Sequence, residues 1–398
     1  MRKFFNSRLG ILSAAHFTID SYSSFYLPLL PLLVPRLGLN YTLVGTLVAV
    51  GSMSSSFAQP AFGFLSDRMS RPWFVVVGPL VAAVFLSAIG AAPSYAALVA
   101  LLVLGGFGVS AFHPQTASLA GLSSADRGKA MSFWVTGGTL GWALGPMFAT
   151  LTVGAFGLER TWIAAIPGLV MAAVLFAWFR RVPPLPHAHR TRTSLADLRP
   201  IARPLTLLYL AVVARSAVSS GFATFLPLWV HEQGWSVTTG ASVTTVYLTA
   251  GALGGFAGGW LADRVGARRI VRMSFLLAAP FYVAFFALGG WAGLVCLVAG
   301  YALLQSSLPV NVVMGQELAP RHASTISSLL MGAAWGVGAL LMGPIGAFAD
   351  HAGLDAGLRA LSTLLAAGFV CAMLLPDAHA HRAASAGPTS EASGPAAP

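Results

Sequence analysis

The stretch GFLSDRMSR, Gly63–Arg71, returns as GWLADRVGARR, Gly259–Arg269, an offset of 196 residues. Each copy ends a long apolar run with a glycine, an acid and arginines. Other pairs recur in the same order: Phe25-Tyr26-Leu27-Pro28-Leu29 is echoed by Thr224-Phe225-Leu226-Pro227-Leu228, and Gly145-Pro146 by Gly343-Pro344. Ordered echoes at a nearly constant offset mark a duplicated chain, and a fold built from two copies of one unit.

The composition says where such a chain lives. Of 398 residues, 56% are apolar and 9% charged, against about a quarter charged in an ordinary soluble protein. So few charges cannot cover an aqueous globule, and the apolar excess excludes disorder. Membrane helices need about 20 mostly apolar residues. Twelve such spans are predicted near 9–35, 42–65, 73–92, 96–119, 130–156, 161–180, 205–230, 238–262, 270–289, 292–316, 324–349 and 357–376. The fold class is therefore an all-α membrane protein of twelve transmembrane helices in two six-helix repeats, residues 1–181 and 205–376. The basic, proline-bearing segment 182–204 reads as a cytoplasmic linker. The Ala/Ser/Gly/Pro-rich tail 377–398 reads as disordered and cytoplasmic.

The net charge of +11 does not point to nucleic acid, because the basic residues sit in short breaks between spans. With the N-terminus inside, nineteen Lys and Arg fall on the inner side and three on the outer, leaving Arg215 within a span. That bias puts both termini in the cytoplasm of a cell inhabited by a multi-pass plasma-membrane protein. Cys296 and Cys371 lie inside apolar runs and read as core residues. HAHR occurs at His187–Arg190 and His379–Arg382, but two histidines fall short of a metal site, and neither metal nor cofactor is expected. A monomer is expected, with lipid as its surroundings.

The repeated loops resemble motif A of the major facilitator superfamily, whose plan is two parallel six-helix repeats with a site between them near the midplane. Within it, the chain resembles the fosmidomycin-resistance family of efflux proteins. The matching residues are His16-Phe17-Thr18-Ile19-Asp20, Ala58-Gln59-Pro60, Phe112-His113-Pro114, Gly137-Gly138 with Gly145-Pro146, Gln316–Pro320, and Ala349-Asp350-His351. The resemblance covers residues 5–377 and implies proton-driven export of small molecules without fixing the cargo. Ser70 and Ala267 depart from the loop pattern. The arginine that many drug–proton antiporters carry before a GxG in helix 4 is replaced by Leu101 and Leu102, ahead of Gly106-Phe107-Gly108. The helix 5 pattern matches only in part, since Ala149 and Thr152 stand where later glycines belong.

Polar residues inside the spans are the functional candidates. Asp20 lies about 15 Å from the inner boundary of a core about 30 Å thick, near the midplane, and is read as the main proton-coupling acid and a substrate contact. His16, one turn earlier on the same face, is read as a proton relay or as a hydrogen-bonded histidine. His113, beside Pro114, can titrate or touch cargo. Arg215 corresponds to His16 in the Leu-Pro-Leu register and is read as a partner of Asp20 in one transport state, or of an anionic group on the cargo. Gln316 and Glu317, at the inner end of helix 10, are assigned to substrate binding; Glu317 reads equally well as a solvated gate residue. Gly63, Asp67, Arg68, Arg71, Gly259, Asp263, Arg264 and Arg268 form a cytoplasmic gate, with the acids at a neighbouring helix N-terminus and the arginines on acids. Gly141, Gly145 and Pro146 shape close packing and a bend in helix 5. Trp134, Trp142 and Trp335 are read as packing residues.

No enzyme is expected. Gly128-Lys129 lacks the GxxxxGK[ST] spacing of a phosphate loop, His231-Glu232 lacks the second histidine of HExxH, and Gly108–Phe112 lacks the closing glycine of GxSxG. Two alternatives to proton-coupled efflux stay open: proton symport importing a small organic acid, and a membrane receptor that kept the fold without transporting.

Overall fold

The computed structural model describes residues 7–66, 68, 69, 71–121, 123, 127–180, 195–320 and 323–376, with backbone alone at 127–129, 195–197 and 323–325. Asp67, both HAHR stretches, residues 182–194 of the linker and the tail from 377 lie outside the described residues.

Among the described residues twelve helical rods follow one another: α1 (7–37), α2 (Tyr41–Ser66), α3 (Phe74–Ala91), α4 (Tyr95–Gly121), α5 (Arg127–Phe156), α6 (Leu158–Phe179), α7 (Ala202–Glu232), α8 (Val237–Val265), α9 (Ala267–Leu288), α10 (Gly290–Leu318), α11 (323–352) and α12 (Leu354–Met373). Ten are long and apolar enough to cross a membrane. The remaining two are α1, which Pro28 and Pro31 break into a 3-10 turn at Leu27–Leu29, and α8, whose threonines and glycines dilute an unbroken helix of 29 residues. Residues 195–201, placed in the linker by the sequence, form a 3-10 turn leading into α7. The last linker residues, from Ala202, already belong to that helix.

The packing repeats as the sequence does. α1 lies along α5 as α7 lies along α11; α3 packs on α4 and α6 as α9 packs on α10 and α12. The two repeats meet through α2 against α11 and α8 against α5, which exchange under the repeat. Lipid offers no hydrophobic reward for helix association, so close backbone approach and hydrogen bonds must hold these pairs. Tyr22 illustrates both: it is 1% exposed, its hydroxyl donates to Ala164 O at 2.6 Å, and the same oxygen accepts Gly168 N–H at 2.9 Å.

The α2/α11 seam is tightest at the end away from the repeated arginine loops. A Cβ on Gly45 would lie 2.0 Å from Met342 O, and one on Gly346 would lie 2.1 Å from Tyr41 O. The Tyr41–Ser52 half of α2 holds six buried residues and the Gln59–Ser66 half none. In α8, beyond Gly251, the only buried positions are Gly255 and Gly258. The chain is thus closed at the Asp350 end and loosely packed at the arginine-loop end. Each of the α2 and α11 rods contains a π-turn, Met53–Phe57 and Leu329–Ala333, and these also touch. Such turns free backbone carbonyls; that of Ser54 accepts the Ser110 hydroxyl of α4 at 2.6 Å.

Candidate functional site

The site begins with the seam between α1 and α5. Gly137, Gly138, Gly141 and Gly145 run down α5 against α1. A Cβ on Gly141 would come within 2.0 Å of Phe17 O, and one on Gly138 within 2.3 Å of His16 Nε2 and 2.7 Å of Asp20 Oδ2. Gly141 and Gly145, picked out in the sequence for close packing, both lie in this seam. α5 continues as helix through Pro146. Proline has no N–H, so the carbonyl of Trp142, four residues earlier, loses its helical donor. Ser24 of α1 supplies one at 2.7 Å.

Against Gly138 the structure brings together Asp20, His16 and His113. Nε2 of His16 is 3.2 Å from Asp20 Oδ2, Nε2 of His113 is 3.4 Å from Asp20 Oδ1, and the two Nε2 atoms are 3.1 Å apart. Each Nδ1 faces a carbonyl oxygen at 2.8 Å, Trp134 O for His16 and Val109 O for His113. A carbonyl only accepts, so both Nδ1 atoms carry hydrogens. Neutral rings would then aim bare Nε2 lone pairs at each other and at the carboxylate. Three acceptors converging in a low-dielectric interior repel unless a cation sits among them. A single added proton lets one Nε2 donate to its neighbours, so this group is built to hold a positive charge.

The surroundings fix the rings. Trp134 stacks on His16 with centroids 3.8 Å apart and planes at 22°, and Phe112 lies 6.1 Å away. The Asp20 side chain keeps 17% of its exposure and that of His113 19%, so neither is fully sealed by its neighbours. The sequence reading left Trp134 as a packing residue; its carbonyl and ring both position His16. The tryptophan itself carried no signal, because the role depends on a histidine 118 residues away.

Arg215 belongs to a separate cluster in the second repeat. It is 1% exposed, donates from Nη1 to Gln305 Oε1 at 2.7 Å and lies 5.3 Å from the Trp335 ring centroid. Ser219 shares Gln305 Oε1 at 3.3 Å. In this conformation Arg215 is paired within its own repeat, and the described partners of Asp20 are histidines. The arrangement still echoes the first repeat: a first-helix basic side chain, a fourth-helix polar group and a fifth-helix tryptophan. Gln305 was missed from sequence. It ends the first segment of α10, where Pro309 forces a turn at Ser306–Ser307. Asn311, 1% exposed with neither side-chain polar atom bonded, was also missed, although an amide inside an apolar run signals it. Trp142 meets Trp335 edge-on across the repeats, at 6.1 Å.

The other sequence candidates lie elsewhere. Gln316 donates to Ser327 Oγ of α11 at 2.7 Å, and Glu317 is exposed at the end of α10. Arg68, just past the end of α2, and Arg264, in the last turn of α8, lie over the aromatic ring four residues back, Phe64 at 3.8 Å and Trp260 at 3.7 Å. Asp263 and Arg71 are exposed, and Arg268 is half-buried. Gly63 and Gly259 sit against Pro114 and Pro309, with Cβ distances of 3.6 and 3.4 Å. These glycines join the second and fourth helices of one repeat.

Two repeats of six helices, meeting at two exchanged seams and carrying ionisable groups in the middle of their spans, define a membrane carrier. The chain belongs to the Major Facilitator Superfamily, whose family model matches residues 12–343. It is 27% identical over 387 residues to the fosmidomycin resistance protein of Escherichia coli (strain K12), covering 93% of this chain and 92% of that one. It is 29% identical over 387 residues, with the same coverages, to the uncharacterized MFS-type transporter YfnC of Bacillus subtilis (strain 168). Among solved structures it resembles a bacterial homolog of the human lysosomal transporter Spinster, inward-facing and occupied. The TM-score is 0.75 and the identity 17%, with 92% of this chain and 96% of that one covered. The chain is a multi-pass membrane transporter of small-molecule substrates.

Proposed function

We propose that the chain exports small organic molecules in exchange for protons by alternating access, as a monomer, with both termini in the cytoplasm. The observation that carries this reading is the clasp of Asp20 by His16 and His113, three acceptors that need a cation, set mid-span beside Gly138. The orientation follows from the inner excess of Lys and Arg, and makes the loosely packed end cytoplasmic. Cargo then enters from the cytoplasm, and rocking of the repeats closes that side and opens the Asp350 end. There the group takes a proton, returns, and releases it inside, with His113 and Asp20 also touching cargo. Arg215 supplies the cation for an anionic cargo group, with Gln316 and Glu317 on the cytoplasmic approach. The gate role of Gly63, Asp67, Arg68, Arg71, Gly259, Asp263, Arg264 and Arg268 belongs to the opposite, cytoplasm-closed state, in which the arginines leave their aromatics for acids across the repeats. Export is supported by the likeness to the fosmidomycin resistance protein along 93% of the chain.

The test is compound tolerance in efflux-deficient cells expressing the wild type or Asp20→Asn at matched membrane levels. The panel holds fosmidomycin, other antibiotics and organic acids. Tolerance conferred by the wild type and lost in the variant is the expected result. Equal tolerance in both removes Asp20 from coupling. Sensitisation, or growth on an added acid, turns the reading to uptake.

A further inference from the structure

We propose that His16 Nε2, His113 Nε2 and the Asp20 carboxylate form a binding site for a divalent transition-metal ion, with Zn²⁺ as its probe. The sequence leads to no metal site, because the HAHR pairs fall short of a ligand set; His16 and His113 lie 97 residues apart. Folding brings α1 and α4 together and places their donors around one point. Among the described residues, this is the group of His, Cys, Asp and Glu whose donor atoms converge, all within 4.8 Å.

Geometry is the first argument. Zinc bonds of about 2.0–2.1 Å to imidazole and carboxylate in a tetrahedron put ligand atoms about 3.3 Å apart. The two Nε2 atoms are 3.1 Å apart, and each faces its own oxygen of the Asp20 carboxylate, at 3.2 and 3.4 Å, spacings close to those of ligands around one ion. The second argument is orientation. Metal-bound histidines donate their other ring N–H to a carbonyl or carboxylate, which fixes the tautomer and leaves the ligating nitrogen bare. Both histidines do this through Nδ1 at 2.8 Å. The stacked Trp134 ring and the Cβ-free face of Gly138 hold His16 in that pose. The third argument is donor chemistry. Two imidazoles and one carboxylate suit zinc, cobalt or nickel; calcium and magnesium take oxygen ligands.

Three protein ligands leave a fourth position open, and the Asp20 and His113 side chains are not fully sealed by their neighbours. An ion there satisfies the three converging acceptors as a proton does. Its binding depends on neither the direction nor the coupling of transport, so it can fail or hold separately from the proposed function.

Purified full-length protein, stripped with chelator, would be titrated with Zn²⁺ by calorimetry and with Co²⁺ by absorption spectroscopy. One ion per chain and a four-coordinate Co²⁺ spectrum are expected. Asp20→Asn and His113→Gln should each weaken Zn²⁺ binding at least about tenfold. His113→Cys, which offers a thiolate in place of the imidazole, should retain it. Replacing His187, His189, His379 and His381 by Gln should leave binding unchanged. Gel-filtration and melting profiles show that each variant is folded. No binding by the wild type overturns the proposal. So does equal binding by Asp20→Asn and His113→Gln, or loss of binding in the four-histidine variant.

Discussion

Asp350 of α11 caps the N-terminus of α2 from the other repeat: its Oδ2 accepts the Thr42 N–H at 2.9 Å and the Thr42 hydroxyl at 2.5 Å. Oδ1 accepts the Tyr41 N–H at 2.7 Å, and the Tyr41 hydroxyl bonds Glu232 at the end of α7. The α2 terminus is already capped locally by Asn40 through Leu43 N–H, so Asp350 adds a bond between repeats to a helix end that does not lack a cap. The equivalent α8 terminus is capped by Ser236 of its own repeat. One of the two related corners thus carries a charged latch, on the side where the chain is closed.

Asp350→Asn should weaken that latch. An exposed carboxylate at a helix N-terminus contributes about 0.3–1 kcal/mol, so the population open at this end should rise about two- to fivefold. Spin-label distances between the facing ends of α2 and α11 report it. An unchanged distance distribution would mean that the glycine seam alone holds this end.

Gly138→Ala should cost transport far more than expression. Its Cβ would meet His16 Nε2 at 2.3 Å and Asp20 Oδ2 at 2.7 Å, and forcing a methyl into packed structure typically costs about 1–3 kcal/mol. Displacing the clasp should reduce transport at least about tenfold. Gly154→Ala on the same helix meets nothing within 4 Å and should be neutral. Equal activity in the two variants would show that the clasp tolerates displacement.

Much of this was legible in the sequence. The spans, the duplication and the mid-span charges follow from hydropathy and from echoes at a nearly constant offset, because helices in lipid must satisfy their backbone internally and cannot hide a charge. Asp20 and His16 were visible as a pair because four residues span one helical turn. What joined them to His113 was not, since it depends on which helices touch. Arg215 shows the same limit: its depth could be read, but its Gln305 partner sits at a proline-made break in α10. The arginine loops read as a gate between repeats; in this conformation Arg68 and Arg264 rest on aromatics of their own repeats.

Ser24 and Pro146 should be coupled. Ser24→Ala removes the one side-chain donor that reaches the Trp142 carbonyl, a loss of about 0.6–1.5 kcal/mol. Pro146→Ala restores a backbone N–H four residues along, so in that background Ser24→Ala should cost little. A double-mutant cycle read by thermal denaturation in detergent measures the difference. Strict additivity would show that the hydroxyl does not compensate for the proline.

Arg215 should separate stability from transport. A fully buried guanidinium bonded to an amide pays desolvation that a neutral hydrogen-bond partner repays only in part. Arg215→Met keeps much of the volume and removes the charge, so the variant should melt no lower than the wild type. Ser219 remains to donate to Gln305 Oε1 at 3.3 Å. If the charge is kept for cargo, Arg215→Met should nevertheless lose transport at least about tenfold, while Arg215→Lys, a charge without the planar fork, should fall in between. Thermal melting and flux on the same preparations decide it. A variant that melts much lower and loses flux in proportion would make Arg215 a structural group, its contact with Gln305 serving to hold α7 against α10.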